Sequence, residues 1–235
     1  HAQIRTASTH THTSTKLQIG DRAVVDHAKV IIGASGAIHL ANLDVSIGID
    51  ALYRPAQLTP SCGLARHDVN VTLNGRNGKL DFSGIALGRG SDHIDTPMVI
   101  HHVAPGCESR APFKTILDGT ARAVFQGKVI VDKDAQKTDG KQMAKALMLS
   151  PNAEFDSKPE LEIYADDVAC GHGSTCAEID PDLIFYCRSR GIPEAQARAL
   201  LLESFVGDAI DMIDRPDIRR AFTEIAQAWL THKSA

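Results

Sequence analysis

From His1 to about Val168, hydrophobic residues recur at every second position in short runs, among them Val45, Ile47 and Ile49, then Val69, Val71 and Leu73, then Leu80 and Phe82, and later Leu161 and Ile163. In an extended chain, alternate side chains point to opposite faces, so these runs predict strands with one buried face. Turn signals separate them: Asn74-Gly75, Asn77-Gly78, Gly88 with Gly90, Asp118-Gly119 and Asp139-Gly140. No helix-length segment intervenes. That excludes a doubly wound sheet and leaves a sandwich, a barrel or a β-solenoid of stacked coils.

The pattern changes at Asp180. Asp180-Pro181 supplies an N-cap followed by proline at the first helical position, Gly191 ends that helix, and Pro193-Glu194 opens another. In the second helix Leu202, Phe205, Val206, Ala209, Ile210 and Ile213 form one apolar stripe; Arg215-Pro216 breaks it. A third helix carries Ile218, Phe222, Ile225 and Trp229 on one side. The predicted division is a β region over residues 1–178 and a helical region over 179–235.

Composition narrows the classes. With 235 residues, 43% hydrophobic and 23% charged, the chain buries a sizeable core, while 5% aromatics is thin for a jelly roll or propeller. The net charge of −4 hides a split: residues 151–235 carry sixteen acids against eight bases, and residues 1–150 thirteen against seventeen. Neither part shows the dense basic face with interleaved aromatics that nucleic acid requires. The most apolar stretch, Val30 to Tyr53, is interrupted by Gly33, His39, Asn42, Asp44 and Asp50, so no membrane helix is expected. The opening HAQIRTASTH lacks the apolar core of a secretory signal and begins on His1, which reads as a fragment of a longer chain. Five cysteines, Cys62, Cys107, Cys170, Cys176 and Cys187, are odd in number and never form a Cys-x-x-Cys pair, a usage suited to a reducing cytoplasm.

The common catalytic signatures are absent: no phosphate loop, nucleophile elbow, His-Glu-x-x-His or dinucleotide fingerprint. His10 and His12 share one strand face and are expected to be solvated. His101 and His102 are adjacent and point oppositely, so one is expected to be buried and hydrogen-bonded. The denser site is Cys170-Gly171-His172-Gly173. Thiolate and imidazole are ligands that iron and zinc accept, and the flanking glycines let another backbone approach. A closed zinc site needs about four ligands, so either further ligands come from elsewhere, a partner chain included, or Cys170 and His172 only pack. Cys176 and Cys187 are expected to be small buried hydrophobes, and Asp166-Asp167 to form a turn.

The stretch from Lys158 to Phe205, KPELEIYADDVACGHGSTCAEIDPDLIFYCRSRGIPEAQARALLLESF, resembles the C-terminal signature of SufD, in the SufB/SufD family of the SUF iron-sulfur cluster assembly system. Arg66-His67-Asp68, Asp118 to Val131 (DGTARAVFQGKVIV) and Asp134 to Asp139 (DAQKTD) extend the resemblance over nearly the whole chain. It implies a right-handed parallel β-helix followed by a small helical domain, with an N-terminal helical domain missing here. It further implies a non-catalytic scaffold that pairs with SufB and docks the SufC ATPase; because the unpaired strand edges of a solenoid pair readily, a homodimer is expected in isolation. His172 matches the family histidine at the SufB interface, where a transient iron-sulfur cluster forms; Cys170 matches its neighbour, and no cofactor is expected to bind this chain stably by itself.

The three helices are short and leave apolar residues outside their stripes, so the ATPase is expected to dock there, with Phe185, Arg188, Leu201, Phe205 and Met212 in its footprint. On that reading a chain ending near Thr175 loses the ATPase but keeps β-helix dimerisation. Two alternatives remain at this level: a SufB-like paralogue that carries the cluster itself, and a β-helix enzyme acting on polysaccharide, which needs carboxylates along an aromatic-lined groove.

Overall fold

The computed structural model describes residues 9–231. The chain begins with β1 (His10–Ile19), β2 (Val24–Val30), β3 (Ile38–Ile47), β4 (Leu52–Pro60), β5 (Leu64–Leu73), β6 (Lys79–Asp81) and β7 (Ser83–Gly88). It continues with β8 (His93–His102), β9 (Glu108–Leu117), β10 (Arg122–Val131), β11 (Asp139–Met148), β12 (Glu154–Ile163) and β13 (Gly171–Ala177). Three helices follow: α1 (Pro181–Ser189), α2 (Glu194–Ile210) and α3 (Pro216–Thr231).

Every strand pairing is parallel, and the strands fall into two sheets ordered β1-β3-β5-β8-β10-β12 and β13-β11-β9-β6-β4-β2, with β7 beside β4 and β9. Apart from β6 and β7, which follow one another in the same sheet, successive strands alternate between the sheets, so the backbone winds through about six coils of a parallel β-solenoid. Facing residues of neighbouring coils lie 26 to 32 positions apart, as in His10 beside Ile38, Ile38 beside Leu64, and Arg122 beside Glu154. This settles the choice left open between sandwich, barrel and solenoid.

The inward positions hold the main core. Leu43, Val45 and Ile47, then Val69, Val71 and Leu73, then Ile100, Val129 and Val131 form aliphatic ladders along one side of the lumen. Phe113 and Phe125 stack at 4.9 Å between ring centroids. Gly84 makes room for one of them, since a Cβ there would stand 2.2 Å from Phe113 Cδ2. Both sheets depart from the expected ladders: Gln57, Thr59 and Thr115 on β4 and β9, and His67 and Thr96 on β5 and β8, are buried and polar. His102 is fully buried and its Nε2 meets Ser109 Oγ at 2.9 Å, whereas His101 Nε2 faces outward to Asp132 at 2.8 Å.

The second half of β4 and the whole of β7 are buried on both faces, which masks their period. Their outward side chains Ala56, Leu58, Ile85 and Leu87, with Ile116 of β9, form a second core with Leu202, Val206, Ala209, Ile210, Ile213, Phe222 and Trp229. Ser83 Oγ donates to the Ala209 carbonyl at 2.7 Å and Trp229 Nε1 donates to Ser61 Oγ at 3.0 Å. The predicted stripes of α2 and α3 thus cover the outside of the sheet. Removing everything after Thr175 would strip this cover from Leu58, Ile85, Leu87 and Ile116, so truncation does not separate docking from folding.

Several local expectations are corrected. Gly88 lies inside β7 and Asp139-Gly140 opens β11, so neither is a turn; Gly90 and Gly119, at φ +62° and +69°, are. Ile49 and Ile163 are exposed rather than inward. Cys176 is exposed, because β13 ends the sheet and nothing covers its outer half. Asp180 caps α1, its side chain accepting from Asp182 N at 2.8 Å, and Gly191 closes the helix at φ +84°.

A tight coil contact lies at Gly75, where a Cβ would stand 2.1 Å from Gly48 C and Ile49 N of the coil beneath. Backbone cannot yield there, so Gly75→Ala is expected to cost more than about 3 kcal/mol in urea unfolding. The buried imidazoles carry a second expectation. Burial, aided by His101, lowers His102 to about 4 from 6.5, and burial with Lys29, His39 and His27 lowers His67 to about 3. The unfolded chain therefore binds more protons below 6.5, and stability present above that value is lost as pH falls towards 4. Equilibrium unfolding at pH 7 and pH 4.5 should differ by about 3 kcal/mol for His102 alone, and His102→Gln should flatten the dependence.

Candidate functional site

β13 is the terminal strand of its sheet and pairs only with β11, setting His172 beside Gln142 and Gly173 beside Met143. One edge of its backbone therefore faces away from the fold. His172 is exposed, while Cys170, just before the strand, is half-buried and packs on the main core. The two residues share a cleft of about 620 Å³ whose lining includes Arg110, Pro112, Lys141, Met143 and Met212. Gly173 has a local reason: a Cβ there would stand 2.6 Å from Met143 Cε, so glycine lets that methionine lie across the strand.

Arg110 is fixed at the rim. It donates to the Asp139 carboxylate at 2.5 Å and to the Asp139 carbonyl at 2.9 Å, and Lys141 Nζ stands 3.5 Å from the same carboxylate. The Arg110 hydrogen bond, ahead of its charge, holds the Asp139 carboxyl below its usual range. Burial pushes the Cys170 thiol above its ordinary value, and the Asp139 charge adds to this. Cys170 is accordingly a protonated thiol at neutral pH, and metal binding there must release its proton. Among the described residues no group of three or more His, Cys, Asp or Glu side chains is placed to hold a metal ion. The cleft thus offers an imidazole and a thiol on an open strand edge, an arrangement that a second chain bringing its own ligands would complete.

The predicted docking residues divide between surfaces. Phe185 and Arg188 line a separate cleft with Met148, Pro151, Glu178 and Arg198, and Arg188 reaches Glu194 at 3.5 Å. Phe185 is 73% exposed and has Leu183 and Tyr186 exposed beside it on α1. Leu201 is half-buried. Phe205 packs on the second core with the Lys114 ammonium 4.4 Å over its ring, so it is engaged within the chain. Met212, exposed after α2, borders the His172 cleft instead. Asp166 and Asp167 lie at a bend, where Asp167 N donates to Gln136 Oε1 at 3.0 Å and its carboxylate pairs with Lys137. Arg110, Lys141 and Met143 escaped the sequence reading; their signal is the coil spacing, which puts Lys141 beside both Arg110 and Gly171.

Comparison with known proteins decides the family. Residues 1–205 match the family model described as SUF system FeS cluster assembly, SufBD core domain. The chain belongs to the SufBD family. It is 34% identical over 197 residues to the iron-sulfur cluster assembly protein SufD of Escherichia coli, covering 84% of this chain and 47% of that protein. A SufBD family protein of Synechocystis is 33% identical over 198 residues, covering 84% of this chain and 44% of the relative. The chloroplastic protein ABCI7 of Arabidopsis thaliana is 31% identical over 170 residues, covering 71% and 35% respectively. The chain spans about half the length of the first two relatives. No helix among the described residues is long and apolar enough to cross a membrane.

The cysteines provide a direct test of this geometry. Alkylation of the native chain followed by mass spectrometry should label the exposed Cys176 first, Cys170 and Cys187 more slowly, and the buried Cys62 and Cys107 only on unfolding. Labelling of Cys107 before Cys176 would contradict it.

Proposed function

We propose that this SufBD chain is a non-catalytic scaffold of a SUF-type complex, whose exposed strand edge at His172 meets a SufB-like partner and whose helix α1 docks a SufC-like ATPase. The observation that carries the reading is the incomplete ligand set on an open edge: His172 is exposed on terminal β13, with Cys170 behind it. A strand edge is a template for a second chain, and imidazole supplies one lone pair to an iron that still needs ligands. The iron-sulfur cluster is then cargo shared transiently by two chains, not a resident group of this one. In isolation the same edge would pair with a second copy. Free cysteines at all five positions suit a reducing compartment, the cytoplasm or an organelle.

The ATPase reading rests on α1, whose Leu183, Phe185 and Tyr186 lie exposed while α2 and α3 are used up covering the sheet. Arg188 and Arg198 place positive charges at the margin of that apolar surface. The full-length parent, reconstituted with its SufB-like and SufC-like partners, tests both surfaces. His172→Ala should sharply lower cluster content while leaving the fold and all binding intact, with Cys170→Ser having a smaller effect. Phe185→Asp should weaken ATPase binding by about tenfold or more in calorimetry without touching the partner scaffold. Cluster assembly at the normal rate on His172→Ala would overturn the ligand role, and unchanged ATPase affinity in Phe185→Asp would overturn the docking face.

A further inference from the structure

The first coils enclose a cavity of about 420 Å³ that opens beside β1, far along the stack from His172. Its lining includes His27, Lys29, His39, His67 and the inward threonines Thr11 and Thr13, with no carboxylate among the described residues. A lumen position in a solenoid is normally aliphatic, because an unpaired polar group there loses its hydration. Here the polar groups are placed with defined hydrogen-bonding roles. His67, 2% exposed, meets Gln57 Oε1 through Nδ1 at 2.6 Å. With Gln57 Oε1 as the acceptor, Nδ1 carries the ring proton and Nε2 presents a bare lone pair. That Nε2 is buried and meets no protein partner; the same holds for the Thr13 hydroxyl oxygen. His27 Nδ1 shares a hydrogen bond with the Tyr53 hydroxyl at 2.7 Å, which fixes its ring beside Lys29. The Lys29 charge bears on both His27 and His67.

We propose that this cavity is a binding site for a small, partly protonated oxyanion of the hydrogen phosphate class, with its negative oxygens towards Lys29 and the Thr13 hydroxyl and its O–H donated to His67 Nε2. The donor set selects this chemistry. One ammonium and hydroxyls without a carboxylate favour an anion, and a neutral imidazole lone pair requires that the anion itself bring a proton. A fully deprotonated oxyanion of equal size leaves that lone pair unmatched, which costs affinity out of proportion to its charge.

Titration of the whole chain with inorganic phosphate and, separately, with sulfate tests the idea, because at neutral pH phosphate carries an O–H and sulfate does not. Calorimetry should show saturable one-to-one binding of phosphate, at least about tenfold tighter than sulfate. The ¹⁵N resonances of the His67 ring should shift with the same saturation. Lys29→Met should reduce phosphate binding by about tenfold or more, and His67→Phe should remove the preference for phosphate over sulfate. If His67→Phe does not fold, the phosphate-to-sulfate ratio and the ring shifts of the unaltered chain decide alone. Equal binding of the two anions, absence of saturable phosphate binding, or phosphate affinity unchanged in Lys29→Met would each overturn the proposal.

Discussion

Each coil of this protein satisfies its backbone hydrogen bonds through the coils directly above and below it, and the rest of the structure depends on that parallel ladder. A ladder of this kind holds only if successive coils keep the same inward layers, which is why facing residues recur at 26 to 32 positions. Where a coil corner rests on the one beneath, there is no space for a side chain, as at Gly75. Where a coil carries a bulky ring inward, its neighbour gives way, as Gly84 does for Phe113. Charged side chains on the outside follow the same spacing: Asp26 with Arg54, Arg66 with Asp95, Arg110 with Asp139, and Lys137 with Asp167. Such exposed pairs contribute little stability individually. Their value here is that opposite charges favour the native register over a slipped one.

The ladder is open at β13, and chemistry collects there. At the last coil, β13 leaves one edge of backbone unpaired and carries His172 outward beside the Arg110 and Lys141 rim. The first described coils hold a second polar cluster, His27, Lys29, His39 and His67, in their lumen. An open strand edge has a neighbour on one side only, so polar and ligating residues are tolerated at β13 at lower cost than in the middle of the stack.

The helices solve a separate problem. The sheet containing β4, β7 and β9 is apolar on its outer face, and α2 with α3 covers it through Val206, Ile210, Phe222 and Trp229. Lys114 is drawn into this contact, paired with Asp208 at 2.9 Å and lying over the Phe205 ring. Since those two helices use their stripes on their own sheet, most of the exposed large apolar side chains of the helical region belong to α1, with Leu200 and Met212 the others among the described residues. One side of the appendage is thus structural and the other available.

By itself the sequence determined what depends on local periodicity and local chemistry: strands up to the approach to Asp180, the Asp180 cap, the Gly191 stop, the apolar stripes of α2 and α3, and the Cys170-Gly171-His172-Gly173 cluster with its chemical character. The family motifs in Lys158 to Phe205 narrowed the strands to a solenoid, which alternation alone does not do because a sandwich and a solenoid share period two. Only the tertiary structure decided which residues meet across coils. Gly88 and Asp139-Gly140 read as turns because glycine is ambiguous between a bend and a close approach, and only stacking reveals the latter. Cys176 lies exposed because a strand's burial depends on whether another coil follows, a fact no local window contains. His67 became a lumen residue, and Arg110 and Lys141 neighbours of His172, through pairings set by the length of a whole coil; a separation of that size is carried by the backbone ladder and not by adjacent side chains.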